Sequence, residues 1–200
     1  MTAMNELATL RRLMPPTAES DTVVDWERMT ASWGRPFPSD YRRFLDEYGE
    51  GAAANYLSIV KPEPREGQPE PDGMRVESLN AEDAWAVGRK SPELEGTSPR
   101  LLAWAVDADA DILCWDTSGD DPDAWPVLLF NRDDRLWTRH DCGAVAFLVR
   151  VLRADYPECP LGGLALWGKD HVRYLNDSEY RRLRGTGVDP WTGERMASMG

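Results

Sequence analysis

The chain has 200 residues, 35 acidic against 23 basic, and a formal net charge of -12 at pH 7. That length supports one well-buried domain without a second core. The charge argues against nucleic acid and against a membrane surface, which both reward stripes of Lys and Arg, and it favours a basic protein as partner.

The N-terminus shows no apolar segment behind a basic one, and no apolar run approaches a membrane span, so a soluble, cytoplasmic protein is expected. Cys114, Cys142 and Cys159 contain no C-x-x-C pair and leave one thiol over, which suits a reducing compartment. In chain order, residues 5–14 place Leu7, Leu10 and Met14 on one helical face, stopped by Pro15 and Pro16. Ser20 or Asp21 is expected to cap a second helix with Val23, Trp26, Met29 and Trp33 in one stripe, ended by Gly34. Residues 35–38, Arg-Pro-Phe-Pro, must turn. Ser39 is placed to cap a third helix, in which Tyr41, Phe44, Leu45 and Tyr48 have core-facing spacing before Gly49 and Gly51. Residues 55–60 read as a strand and 61–73 as an exposed loop too rich in Pro, Glu and Gly to pack. Residues 76–87 read as a helix that partly buries Leu79, Trp85 and Val87.

The stretch 101–130, LLAWAVDADADILCWDTSGDDPDAWPVLLF, organises the rest. Residues 101–106, 112–115 and 125–130 are short Trp- and Val/Leu/Ile-rich runs bounded by turn residues. Their connections are too short for parallel crossovers, so they are expected as consecutive antiparallel strands. Alternation sends Leu102, Trp104 and Val106 to one face and Leu101, Ala103 and Ala105 to the other, and both faces are apolar. Residues 135–138 add a short strand. Asp141 is expected to cap a helix over 142–152, whose Val145, Leu148, Val149 and Leu152 cover one side of the sheet. Residues 164–167 are expected as an edge strand, Asp177 or Ser178 as the start of a basic helix through Arg184, and 185–200 as a loose tail. The organisation is an N-terminal helix and linker (1–19), an α+β domain (20–155) of about four to six strands, and a C-terminal extension (156–200).

Asp107, Asp109 and Asp111 crowd the first turn of the central stretch, and Asp116, Asp120, Asp121 and Asp123 the second, with no Lys or Arg from 101 to 130. Two readings stand side by side. Aspartates suit turns because their carboxylates accept nearby backbone N–H groups. Crowded like charges also repel unless solvated, bound to a cation, or offered to a basic partner. Trp104, Trp115 and Trp125 read as core residues whose N–H finds an acceptor, with Trp115, beside Asp116 at a strand end, nearest a functional rim.

Other chemistry is weakly supported. Asp107-x-Asp109-x-Asp111 begins like a calcium loop, but Ile112 stands at its sixth position and Ser118 at its twelfth, so no metal or other cofactor is expected. His140, Cys142, Cys159 and His171 have no diagnostic spacing, and no nucleophile elbow, zinc-protease or phosphate-loop motif occurs.

The stretch WGRPFPSDYRRFLDEYGEG (33–51) followed by 101–130 resembles the SUKH superfamily, which holds fungal cell-wall-assembly regulators of the Knr type and bacterial immunity proteins against polymorphic toxins. Pro38, Asp40, Tyr41, Phe44, Leu45, Tyr48, Gly49 and Gly51 carry the first part of the likeness. Trp104, Asp111, Trp115, Gly119, Asp120, Pro122, Asp123, Trp125, Pro126 and Val127 carry the second, with Ala110 where the hairpin usually has glycine. The likeness covers about residues 25–152. It implies an α+β fold, a mainly antiparallel sheet flanked by helices, and no enzymatic activity. The expected function is a cytosolic immunity protein that binds a basic toxin domain, with a regulatory scaffold as the alternative. The expected contact residues are Asp107, Asp109, Asp111, Trp115, Asp116, Asp120, Asp121 and Asp123.

Overall fold

The computed structural model describes residues 3–20, 22–67, 69–71 and 73–196. In order they form α1 (Ala3–Leu13), α2 (Trp26–Trp33), α3 (Ser39–Tyr48), β1 (Gly51–Ala53), β2 (Leu57–Ile59), α4 (Met74–Val87) and β3 (Arg89–Lys90). There follow β4 (Leu101–Asp107), β5 (Ile112–Asp116), β6 (Val127–Asn131), β7 (Leu136–His140), α5 (Ala144–Leu152), β8 (Tyr174–Asn176) and α6 (Asp177–Gly185). The fold is α+β, with one sheet of order β3-β7-β6-β5-β4-β2-β1-β8, antiparallel except where β3 runs parallel to β7. Among the described residues the sheet has eight strands, more than the four to six expected, because β1, β3 and β8 are only two or three residues long and show no periodicity.

Helices α1, α3 and α5 cover one face, where Tyr41 of α3 packs on Trp115 and Phe147 of α5 on Trp104. Helix α4 covers the other, over Ala103, Cys114, Leu128 and Trp137. Leu79 and Val87 are 55% and 66% exposed, contrary to expectation, because α4 turns its small residues inward. Ser78 and Ala81 are buried, and the Ser78 hydroxyl accepts the Ala103 N–H at 3.0 Å.

Strict alternation also fails along β4. Ala103 pairs with Cys114 and Ala105 with Leu113, so Trp104 is an extra residue in a β-bulge. Trp104 and Ala105 therefore both join the core under α3 and α5, while Val106 turns to the opposite face beside Ile112 and Phe130.

Several caps differ from the linear reading, each because a better-placed acceptor exists. Asp21 lies outside the described residues. The N-cap of α2 is Asp25, which accepts the Arg28 N–H at 3.0 Å, so the helix starts at Trp26 and Val23 is 92% exposed. Helix α3 begins at Ser39 behind Pro38, and Asp123 accepts the Ser39 N–H from across the fold at 2.6 Å. Helix α5 begins behind Gly143, with Asp40 of α3 accepting the Val145 N–H at 3.0 Å, while Asp141 pairs with Arg139. Asn176 caps α6 by accepting the Glu179 N–H at 2.9 Å.

The flanking segments belong to the same body, since Leu7, Leu10 and Met14 share a core with Leu161, Leu166 and Tyr174. Residues 164–167 are not a strand; β8 forms that edge. The loop 61–73 is not wholly exposed, because Glu63 is buried and accepts the Arg75 N–H. Gly51 lets β1 and β8 close: a Cβ there would lie 2.2 Å from the Leu175 carbonyl oxygen. Gly51→Ala is expected to cost on the order of 1–2 kcal/mol through that backbone clash. Denaturant unfolding checks it, with an unchanged midpoint as the contrary result. Among the described residues no helix is long and apolar enough to cross a membrane.

Candidate protein-binding surface

The two aspartate-rich turns sit at opposite ends of β5. That strand has five residues, so the turns are separated by about 17 Å along its axis. This exceeds the screening length of about 8 Å at physiological salt, so the charges of the two turns reinforce one another little, and a partner touching both must span the length of β5.

The first turn is largely internal. Asp111 is 0% and Asp107 7% exposed. Asp107 Oδ1 accepts the N–H groups of Asp109 at 3.0 Å and Asp111 at 2.9 Å. Asp111 accepts the Arg132 N–H at 2.8 Å and the Gly162 N–H at 2.6 Å, tying the β6–β7 turn and the C-terminal segment to this hairpin. Asp109 is exposed and accepts the Tyr56 hydroxyl at 2.8 Å, and that hydroxyl accepts the Gly163 N–H. Ala110, in the position expected to favour glycine, adopts φ 63, a left-handed conformation that strains a residue with a Cβ. Turn chemistry accounts for this cluster, and the buried carboxylates of Asp107 and Asp111 present no surface to a partner.

Trp115 was expected at a functional rim and is instead 0% exposed, T-shaped against Tyr41 at 4.9 Å and stacked with Trp104 at 5.8 Å. The bulge and the helical roof enclose it. Among the described residues the indole N–H groups of Trp104 and Trp115 lack acceptors, whereas Trp125 donates to the Gly119 carbonyl at 2.7 Å.

The second turn is the exposed one. Asp120, Asp121 and Asp123 face solvent, and Asp116 is half-buried. Asp116 accepts the Ser118 N–H, Asp121 the Asp123 N–H, and Asp123 the Ser39 N–H. Asp120 alone of these expected contact residues makes no hydrogen bond among the described residues. The Trp125–Gly119 bond and the bond from Thr117 Oγ1 to the Arg100 carbonyl at 2.9 Å brace the loop. It is an acidic knuckle held by its own hydrogen bonds.

Beside it lies a cleft of about 490 Å³ between α1, α3 and the start of α5, lined by Glu6, Asp40, Asp123, Asp141, Cys142 and Arg150 among others. Asp40 is raised by burial, with the Asp123 charge adding and the N–H groups of Val145 and Tyr41 opposing. Glu6 is raised by burial, with Asp40 adding and Arg150 opposing. A cation entering this cleft would relieve both carboxyl groups. Sequence reading missed Glu6, Asp40 and Asp141 as members of this patch, since they come from three separate elements with no local signal joining them.

His140 does not meet the cysteines as a metal or thiol site. Burial lowers it to about 4, it rests edge-on against Phe147 and Tyr156, and its Nε2 lies 3.1 Å from Thr138 Oγ1. His171 is exposed. Burial raises the thiols of Cys114, Cys142 and Cys159, which disfavours the nucleophilic thiolate. Among the described residues no three His, Cys, Asp or Glu side chains are grouped to hold a metal ion. No protein-family model, curated protein or solved structure matches the chain.

Proposed function

We propose that this chain is a non-enzymatic protein-binding domain, an immunity protein that neutralises a basic toxin domain by direct contact. The observation that carries the reading is the braced knuckle of Asp120, Asp121 and Asp123 beside a carboxylate-lined cleft, in a chain of net charge -12. The motif likeness of residues 33–51 and 101–130 to the SUKH superfamily supports the same reading. A nuclease toxin needs cationic groups to hold its polyanion, and an inhibitor presenting fixed carboxylates competes for those groups. The cleft suits a Lys or Arg side chain of the partner, and the knuckle steers the encounter.

Asp120 and Asp141 are exposed, and neither carboxylate accepts a backbone N–H; the Asp141–Arg139 pair lies at the surface, so charge reversal at both positions is expected to cost little stability. The double variant Asp120→Lys, Asp141→Lys is expected to keep its melting temperature. Its association with a basic toxin domain that the wild-type chain protects against should slow by about tenfold at low salt, the lower end of electrostatic steering. Stopped-flow rates across a salt series, with cell protection in parallel, provide the check. An unchanged rate and full protection would reduce the acidic knuckle to a solvated face. A chain that binds several signalling proteins and protects against no toxin would favour the scaffold reading instead.

A further inference from the structure

Three arginines converge where an acidic chain would be expected to pair them. A cleft of about 310 Å³ is lined by Arg35, Arg65 and Arg100, with Trp33, Thr117 and Glu82 beside them. Each guanidinium is anchored by neutral groups. Arg35 donates to the carbonyl and hydroxyl oxygens of Thr117. Arg65 lies over the Trp33 ring, 4.9 Å from its centroid, and the ring is fixed by its N–H donating to the Glu63 carbonyl at 2.8 Å. Arg100 donates to the Ser118 carbonyl at 2.9 Å.

No carboxylate lies within ion-pair distance of these three among the described residues, although the chain has 35 acidic side chains. The nearby carboxylate of Asp116, at the end of β5, accepts the backbone N–H groups of Arg100 and Ser118. Arg35 is lowered by burial and by the positive charges of Arg100 and Arg65, so the three repel one another as they stand. Guanidinium groups held in place by neutral acceptors keep free donors in a fixed fork, an arrangement that matches the oxygens of a phosphoryl dianion. A carboxylate would satisfy one fork and leave two cations facing each other.

The cleft volume falls at the small end of ligand pockets, and Pro99, Leu101 and Leu102 supply an apolar wall beside the cationic group. Such a wall suits a compact organic body better than bare phosphate. We infer that this cleft binds a small organic phosphomonoester, with Arg35, Arg65 and Arg100 gripping the phosphoryl oxygens and the body resting against Leu101 and Pro99. Glu82, exposed on the cleft margin, works against the anion and keeps its affinity moderate. The site is distinct from the acidic cleft and does not depend on the proposed immunity role.

Calorimetric titration of the full chain with adenosine monophosphate, ribose 5-phosphate, inorganic phosphate and acetate tests this. The two esters are expected to bind with a Kd below about 1 mM, and about tenfold more tightly than acetate. The double variant Arg65→Gln, Arg100→Gln should weaken the esters by about tenfold or more, because it removes charge-assisted bonds. Glu82→Gln should tighten them by about threefold, which a merely destabilised protein would not do. Esters that bind no better than acetate, or equally to the arginine variant, would overturn the site. Inorganic phosphate binding as tightly as the esters would overturn the organic body.

Discussion

Trp115→Ala is expected to lower the melting temperature by roughly 6–20 °C, the largest effect of any substitution considered. Truncating a buried Trp costs about 3–5 kcal/mol, and each kcal/mol shifts a chain of this size by about 2–4 °C. The side chain is 0% exposed and lies between Tyr41 of α3 and Trp104 of β4, so its loss opens a cavity where helix and sheet meet. Trp115→Phe should cost less than half as much, because it keeps ring packing and removes an indole N–H that has no acceptor among the described residues. Calorimetry on both variants decides the matter. If Trp115→Ala melts with the wild type, the residue is not the keystone of this face. A nearly normal fold with lost partner binding would return Trp115 to the interface.

The same residue marks what the sequence can show. Apolar spacing revealed α1, α3, α5 and the β4–β5–β6 meander, because each buries a whole stripe or a whole face. It could not show β1, β3 and β8, whose two or three residues contain less than two periods. Those strands exist through tertiary closure, such as the approach of Leu175 to Gly51. The bulge at Trp104 was hidden for a related reason: Leu102 to Val106 are all apolar, so a one-residue slip leaves no polar residue misplaced. Trp115 therefore looked like a strand end near solvent, when α3 and the bulge enclose it.

The caps and the site were hidden differently. A sequence displays carboxylates and hydroxyls near a helix start but not which N–H they meet. Ser20 was a plausible cap for α2, yet its hydroxyl donates to the Leu45 carbonyl at 3.2 Å, and Asp25 does the capping. Asp123 and Asp40 cap helices remote from them in sequence. The density of aspartate from 107 to 123 was visible at once, but its division into an internal knot and an exposed knuckle depends on the length of β5 and on the placement of Gly162. Arg35, Arg65 and Arg100 form no cluster in the sequence, and only the fold brings them to one cleft.

The internal knot makes a prediction of opposite sign for two neighbouring aspartates. Asp107→Asn should stabilise the protein at pH 7.5, whereas Asp111→Asn should destabilise it. Asp107 Oδ1 accepts two N–H groups, while among the described residues its buried Oδ2 has no donor in hydrogen-bond geometry, the Tyr56 hydroxyl being turned to Asp109. Burial above all raises Asp107 from the usual 3.8 to about 6, with the Asp111 charge adding and the nearby Tyr56 hydroxyl and the N–H groups of Asp111 and Asp109 opposing. Between those two values the folded chain holds a proton that the unfolded chain has released. The stability this contributes is present at low pH and lost as pH climbs through about 6, so the Asp107 carboxylate is a burden at neutral pH. An Asn keeps the Oδ1 acceptor, needs no charge and can donate toward Asp111. A rise of about 2–4 °C is expected at pH 7.5, equivalent to about 1 kcal/mol, together with a flatter pH dependence between about 4 and 7 than wild type. Asp111 uses both oxygens, one for Arg132 and one for Gly162, so an amide must turn its NH2 toward one of these N–H groups. Leaving that donor unsatisfied in a buried site costs about 2–3 kcal/mol. It should also speed hydrogen exchange at Gly162 and Gly163, as the C-terminal segment loosens from the hairpin. Equal melting shifts for the two variants would mean that the pair acts only through its summed charge, and the hydrogen-bond assignment of the knot would be wrong.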